Sequence, residues 1–147
     1  YKKRGNEMQI TDRNQAIKAI KEDPYNYQEL SDDLKNDKDL LMLAMEENKT
    51  SLSFASDELK ADKELVMAAI KISEQSFVYA SDDLKADKEV ALLAVSGRGI
   101  NINYVSDQLK NDKEIVIAAI KNNKIALDLA GDIQYDPEFL KEIEDLL

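Results

Sequence analysis

The run Ser81-Asp82-Asp83-Leu84-Lys85-Ala86-Asp87-Lys88-Glu89 recurs along the chain in closely similar copies. The other copies begin at Ser31, Ser56 and Ser106, so the step from one copy to the next is 25 residues each time. No insertion or deletion interrupts this spacing. A fixed period of roughly 20 to 50 residues is typical of proteins built from stacked structural repeats. The sequence therefore predicts a repeat architecture.

Five repeats and a shorter last unit follow from this spacing. The first repeat is divergent, although Asp12-Arg13 stands where the second repeat has Asp37-Lys38. The last unit ends in an amphipathic segment that we interpret as a C-terminal cap. We predict a single helical repeat domain over residues 1–147. Its units are 6–30, 31–55, 56–80, 81–105, 106–130 and the C-terminal cap 131–147.

Each full repeat contains two segments with apolar residues at helical spacing. In residues 62–72 the apolar side chains recur as neighbouring pairs four positions apart, and Asp62 is placed as the N-cap. In residues 75–85 they follow an i, i+3, i+7 pattern that ends at Leu84. Short links between such segments favour antiparallel packing. The predicted fold class is all-α, an α-solenoid-like stack of helix-turn-helix repeats with about eleven short helices.

A repeat of one helix and one strand is the alternative. Residues 77–80 and 100–105 have strand-like propensity, and leucine-rich repeats have periods in this range. The L-x-x-L-x-L-x-x-N pattern of those repeats is missing, however, and the equivalent residues 126–130 favour a helix. We therefore expect two helices per repeat.

The repeated motif has a structural role at nearly every position. Leu84 is placed to close the core of the second helix, and the small pair Ala80-Ser81 allows neighbouring helices to approach closely. Lys85 falls at the negative end of that helix dipole, and Asp87 is placed as the N-cap of the next helix. We interpret the motif as a helix–turn–helix corner, so its repetition reflects the way in which neighbouring helices pack.

The pattern A-S-x-x-L-K-x-D-K-E-φ-φ-φ-x-A-φ, in which φ is apolar, is clearest in residues 55–70 and 80–95. This pattern resembles the uncharacterised repeat family known as domain of unknown function 4116, and the resemblance covers residues 6–136. The resemblance implies an array of short helices within a larger microbial protein. It implies no activity and no catalytic residue.

The composition, 44% hydrophobic and 34% charged, is that of a folded domain. A net charge of −10 disfavours nucleic-acid and anionic membrane partners, which recruit surfaces rich in Lys and Arg. We expect a monomer. The apolar runs 40–45 and 115–120 are too short to cross a bilayer, and no signal-peptide pattern is present. These features favour the cytoplasm, although the first residue is not Met and secretion stays open.

Cysteine and histidine are absent, so the commonest nucleophile, general base and transition-metal ligand are missing. The acids Asp32, Asp33, Asp37 and Asp39 lack the glycine and spacing of a calcium-binding EF-hand loop. The motif serines have no adjacent base. We therefore expect no catalytic residue, no cofactor and no metal site.

Two short motifs allow functional alternatives. Ser96-Gly97-Arg98-Gly99 breaks the pattern of the equivalent links in the other repeats, and its glycines could expose backbone N–H groups to an anion beside Arg98. A glycine at a helix C-terminus is the simpler interpretation. Asn48-Lys49-Thr50 matches the glycosylation sequon, which we attribute to chance.

Aromatic residues form a column two positions before the motif serine, and they belong either to the core between repeats or to a binding ridge. Neighbouring positions differ from repeat to repeat, as a determinant of partner specificity would. The possible partner-binding residues are Phe54, Val78, Tyr79, Arg98, Asn103 and Tyr104.

Two functional hypotheses follow. The first is a non-catalytic repeat module that binds a protein or peptide, because stacked repeats present extended binding surfaces. The alternative is an acidic inhibitor or immunity-like protein that masks a basic partner surface, which the pI of about 4.5 suggests. The identity of the partner stays open in both.

Overall fold

The computed structural model describes residues 2–4 and 7–147, with side chains from Gln9 onward. Most of its regular structure is helical and follows the repeats, which confirms the all-α repeat stack. The α-helices are α1 (Arg13–Glu22), α2 (Asp32–Lys35), α3 (Lys38–Met45), α4 (Asp57–Lys60), α5 (Lys63–Ile72), α6 (Asp82–Lys85), α7 (Lys88–Gly97), α8 (Lys113–Asn122) and α9 (Pro137–Glu142). The 3₁₀ helices are Pro24–Glu29, Ser51–Phe54, Glu74–Tyr79, Gly99–Tyr104, Leu109–Asn111, Lys124–Leu129, Asp132–Tyr135 and Glu144–Leu146.

The chain divides into two compact units, which we call unit 1 (Tyr1–Tyr79) and unit 2 (Ala80–Leu147). Each unit has its own buried core. Fully buried side chains include Tyr27, Leu41 and Phe77 in unit 1 and Ile102, Ile115 and Phe139 in unit 2. The single domain over residues 1–147 stays a prediction.

Aspartate N-caps begin the long helices, which are α1, α3, α5, α7 and α8. The Asp62 carboxylate accepts a hydrogen bond from the Leu65 N–H at 3.0 Å, and Asp87 accepts one from the Val90 N–H at 3.1 Å. Such a bond satisfies one of the N–H groups that a helix leaves unpaired at its start. The predicted N-caps at Asp62 and Asp87 are confirmed.

The second predicted helix of each repeat is not continuous. In residues 75–85 the chain forms the 3₁₀ helix Glu74–Tyr79 and then the one-turn helix α6. Ser81 lies between them in an extended conformation, with φ −61° and ψ 158°, and its hydroxyl accepts a hydrogen bond from the Leu84 N–H at 3.4 Å. A serine that caps a new helix competes with the preceding one, which favours the break at Ser81. The same break occurs at Ser31 and Gly131 without a side-chain cap hydrogen bond. Residues 77–80 form no strand.

Backbone hydrogen bonds tie successive repeats together at the motif. The Ser56 N–H donates to the carbonyl oxygen of Lys35 at 3.2 Å, and the Ser106 N–H donates to that of Lys85 at 3.0 Å. The Gly131 N–H repeats this bond to Lys110 at 2.9 Å. The motif is therefore a corner at which one repeat docks on the next.

The N-terminal part of the chain, up to the second repeat, differs from the later repeats in two ways. Strands β1 (Lys2–Arg4) and β2 (Glu7–Gln9) pair as an antiparallel hairpin, which the sequence did not predict. Leu34 stands at the motif position of Leu84 but is half-buried, whereas Leu59 and Leu84 are buried. The divergent first repeat lacks the Ser-Asp-x-Leu-Lys element, and Gln9 and Thr11 line a depression beside Leu34 instead.

Candidate partner-binding surfaces

The predicted aromatic column lies at the ends of the 3₁₀ helices. Phe54 and Tyr104 are 38% and 39% exposed, and Tyr79 is half-buried. In unit 1 Val78 is half-buried next to Tyr79, and in unit 2 Asn103 is exposed next to Tyr104. These side chains are neither fully buried core nor fully solvated, so a role in binding stays a prediction.

Arg98 stands apart from the other predicted residues of unit 2. It is the N-cap of the 3₁₀ helix that ends at Tyr104, so about 12 Å of helix separates their backbones at roughly 2 Å per residue. Its own N–H donates to the carbonyl oxygen of Ala94 at 3.0 Å. Arg98 and Tyr104 therefore lie at opposite ends of one 3₁₀ helix, and a common binding site for them stays a prediction.

The glycine-containing link Ser96-Gly97-Arg98-Gly99 has a role in packing. The Gly99 N–H donates to Asn122 Oδ1 at 2.7 Å, so this amide is already occupied. A Cβ at position 99 would lie 2.4 Å from the carbonyl oxygen of Ala119, which leaves no room for a side chain. Asn122 Nδ2 also donates to the carbonyl oxygens of Ser96 and Gly97 at 3.1 and 3.2 Å. This geometry favours close approach of two repeats over the anion-binding alternative.

The asparagine of the glycosylation sequon is buried and hydrogen-bonded within the sequon. Asn48 is 6% exposed. Its Oδ1 accepts hydrogen bonds from the Thr50 hydroxyl at 2.8 Å and from the Thr50 N–H at 3.2 Å. This burial favours the interpretation that the match arose by chance.

The cations that follow the N-cap aspartates reach the next repeat. Arg13 pairs with Asp37 at 2.7 Å, Lys38 pairs with Asp62, and Lys88 pairs with Asp112 at 2.9 Å. We call this series the cap ladder. Each of these aspartates therefore caps its own helix and accepts a cation from the preceding repeat.

The cap ladder keeps its carboxylates ionised. A hydrogen bond from Arg13 lowers the pKa of Asp37, and one from Lys38 lowers the pKa of Asp62. At Asp112 burial acts in the opposite direction, but the hydrogen bonds from Lys88 and from the Ile115 N–H still lower its pKa. Carboxylates of this kind are poorly matched to proton transfer near neutral pH.

A row of aliphatic side chains on the long helices was missed by the sequence analysis. Each residue is half-buried, and each occupies the same position of its repeat, just outside the buried helix face. We call this set the outer row. Its members are Ile17, Met42 and Met67 in unit 1 and Leu92 and Ile117 in unit 2. The sequence does contain a signal for this row, because the long helix of every repeat has at least one apolar residue more than its buried face needs.

Grooves run between neighbouring long helices beside the outer row. The groove between α7 and α8 has a volume of about 710 Å³ and an apolar floor of Leu92, Ile117 and Ala118. Its rim carries polar side chains, namely Ser96, Lys113, Glu114, Lys121 and Asn122. The groove between α1 and α3 in unit 1 has a volume of about 350 Å³. The unit 2 groove is thus the larger apolar depression.

An acidic depression of about 380 Å³ lies on the short helices of unit 1. Its lining includes the carboxylates of Asp32, Asp33, Asp57 and Glu58, all exposed. Of the depressions described, this one has the most acidic lining. It lies on the helices that carry the repeated motif.

Among the side chains that the structure describes, from Gln9 onward, no group of three or more Asp, Glu, His or Cys is arranged to hold a metal ion. None of the helices in that same part of the chain has the length and apolar character needed to cross a membrane.

Comparisons with known proteins find one family. The family model described as "Domain of unknown function (DUF4116)" matches residues 12–60, 46–85, 62–107 and 87–134. These overlapping matches cover most of the chain and follow the repeats. Neither the curated proteins nor the solved structures provide a match.

Proposed function

The chain belongs to the DUF4116 family, whose function is unknown, and from its repeat architecture and its half-buried apolar row we propose that it is a non-catalytic repeat module that binds a protein or peptide. The module acts as a monomer and uses no cofactor, nucleic acid or membrane surface. The absence of His and Cys from the sequence supports the non-catalytic part, because few general bases or nucleophiles remain.

One observation carries the binding part, namely the outer row. Half-exposed aliphatic side chains recur at one position of the long helices in both units. Removal of apolar surface from water is favourable by roughly 25 cal/mol per Å². Apolar surface that is repeated and only half-buried therefore supports the proposal of a contact face.

The test is capture of partners from a lysate of the source organism by the full chain. A Met42→Gln/Met67→Gln variant removes apolar surface with little change in side-chain volume, and we expect it to lose the captured partner. The matched control is Asp33→Asn/Glu58→Gln, which alters the acidic depression and should retain the partner. A clean monomer of 16.6 kDa with no captured partner would contradict the proposal.

The acidic depression favours a second candidate function, an acidic inhibitor or immunity-like protein that masks a basic surface. Four carboxylates around one depression would attract Lys and Arg side chains of a partner. This candidate predicts that Asp33→Asn/Glu58→Gln loses the partner. It also predicts that affinity falls steeply between about 50 and about 500 mM salt, because the Debye length shortens roughly threefold over that range. Affinity that does not depend on salt would exclude it.

A further inference from the structure

We propose that the groove between α7 and α8 is the docking site for one amphipathic helix of a partner, with an acidic side chain of that helix placed against Lys121. This inference rests on the proposed function and names the surface and the class of partner. The groove lies in unit 2, and the outer row of unit 1 stays a further contact of the same partner under the proposed function.

The floor of the groove is apolar and spans the two long helices. Leu92 comes from α7, whereas Ile117 and Ala118 come from α8, and all three are half-buried. A long helix of 10 residues extends about 15 Å at 1.5 Å per residue. A groove of this length fits two to three turns of a partner helix, whose apolar side chains at i, i+4 and i+7 would lie on the floor.

Ala118 provides the room for such a helix. In the corresponding groove of unit 1, Leu43 stands at the equivalent repeat position and the volume is about 350 Å³ instead of about 710 Å³. Leu93 occupies the same position in the fourth repeat. Because the repeat accepts leucine at this position, a larger side chain at 118 can fill the groove without disruption of the fold.

The rim determines which charge the partner helix should carry. Glu114 pairs with Lys88 at 2.8 Å, and Lys113 pairs with Glu142 at 2.7 Å, so that end of the groove is neutralised. Lys121 lies at the other end, is exposed, and has no ion-pair partner among the residues that the structure describes. An acidic side chain complements this ammonium group better than a basic or apolar one.

The probe is a phage-displayed library of randomised helical peptides, selected against the full chain. We expect the recovered peptides to share apolar residues at i, i+4 and i+7 and an acidic residue beside them. Ala118→Leu should weaken their binding about tenfold or more, as loss of an anchor pocket does. Lys121→Glu should weaken it several-fold, and most at low salt.

The chain contains a matched control for the groove-filling variant. Ala68→Leu makes the same substitution at the equivalent position of α5 in unit 1, and it should leave binding of the peptides unchanged. Circular dichroism of both variants verifies that the fold is retained.

Four results would overturn the inference: no enrichment of peptides, equal binding by Ala118→Leu and wild type, equal loss with Ala68→Leu, or no effect of Lys121→Glu. Self-association of wild type that Ala118→Leu abolishes would also overturn it, because the occupant would then be a second copy.

If a lysate partner is captured but Ala118→Leu retains it, the docking site is wrong and the proposed function stands. If no partner is captured at all, the proposed function itself fails.

Discussion

At the residue scale, the N-cap aspartates Asp37, Asp62 and Asp112 each have two partners. Asp62 caps α5 and also pairs with Lys38 of the preceding repeat. The sequence predicts the cap, because Asp62 directly precedes a segment of helical periodicity. It cannot predict the ion pair, since that contact joins residues 24 positions apart and depends on how the repeats stack.

Substitution of Asp62 separates its two roles. Asp62→Ala removes the cap and the ion pair, and we expect a loss of about 1 kcal/mol from the cap alone in the free energy of unfolding. Asp62→Asn keeps a good N-cap and removes only the charge, so its effect should be smaller, as is usual for an exposed ion pair. Urea denaturation measures both. Equal stability of Asp62→Ala and wild type would contradict the role of the cap.

The cap ladder also predicts how stability depends on pH. Interactions in the folded chain lower the pKa of Asp37, Asp62 and Asp112. A lowered pKa contributes stability above the unfolded-state value, and this contribution is lost as the pH falls through the folded-state pKa. We therefore expect the urea midpoint to hold at neutral pH and to fall below about pH 4.

The control for this pH dependence is Asp62→Asn, which should reduce the acid-induced fall of the midpoint in proportion to the one carboxylate removed. A midpoint that stays constant from pH 7 down to pH 3 would show that the cap ladder makes no measurable contribution to stability.

At the element scale, periodicity predicts the long helices closely. The segment 62–72 was expected to be helical, and α5 spans Lys63–Ile72. The second helix of the repeat was predicted as continuous because its apolar spacing fits one helix. The break lies at Ser81, whose backbone is extended, and apolar spacing does not show where a single extended residue interrupts a helix.

The outer row shows a second limit of prediction at this scale. The paired apolar pattern identifies the buried face of a helix such as α5. Whether a further apolar residue such as Met67 is covered or exposed depends on side chains of neighbouring repeats. The aromatic column was found from the sequence because aromatic residues are recognisable interface anchors, whereas half-exposed aliphatic residues resemble core.

The close contact between Gly99, which follows α7, and helix α8 leads to a prediction about stability. Gly99→Ala places a Cβ 2.4 Å from the carbonyl oxygen of Ala119, which is backbone and cannot turn aside. We expect a loss of about 1–3 kcal/mol in the free energy of unfolding, as overpacking typically costs. Gly97→Ala is the matched control, since Gly97 is the exposed last residue of α7 and alanine is the better helix former there. Equal stabilities of the two variants in urea denaturation would contradict the close approach.

At the scale of the whole molecule, the sequence accounts for the repeat number and the family more readily than for the partner. The repeated positions report packing, and Ser56, Ser106 and Gly131 all donate the same backbone bond. Under the proposed function, recognition depends on positions where repeats differ, such as Ala118 and Leu43. Their effect on a groove becomes visible once the helices are placed side by side. The charge of −10 alone does not distinguish an apolar contact face from an acidic one.

The central claim is that the outer row contacts a partner, and methionine oxidation tests this claim directly. Met42 and Met67 of the outer row are half-buried, whereas Met45 is fully buried and serves as the internal control. The measurement is the rate of oxidation of each methionine, by mass spectrometry, in the full chain with and without the partner captured from the lysate. We predict that the rates at Met42 and Met67 fall when the partner is bound, while Met45 stays slow in both states. Unchanged rates at Met42 and Met67 in the bound state would contradict the claim.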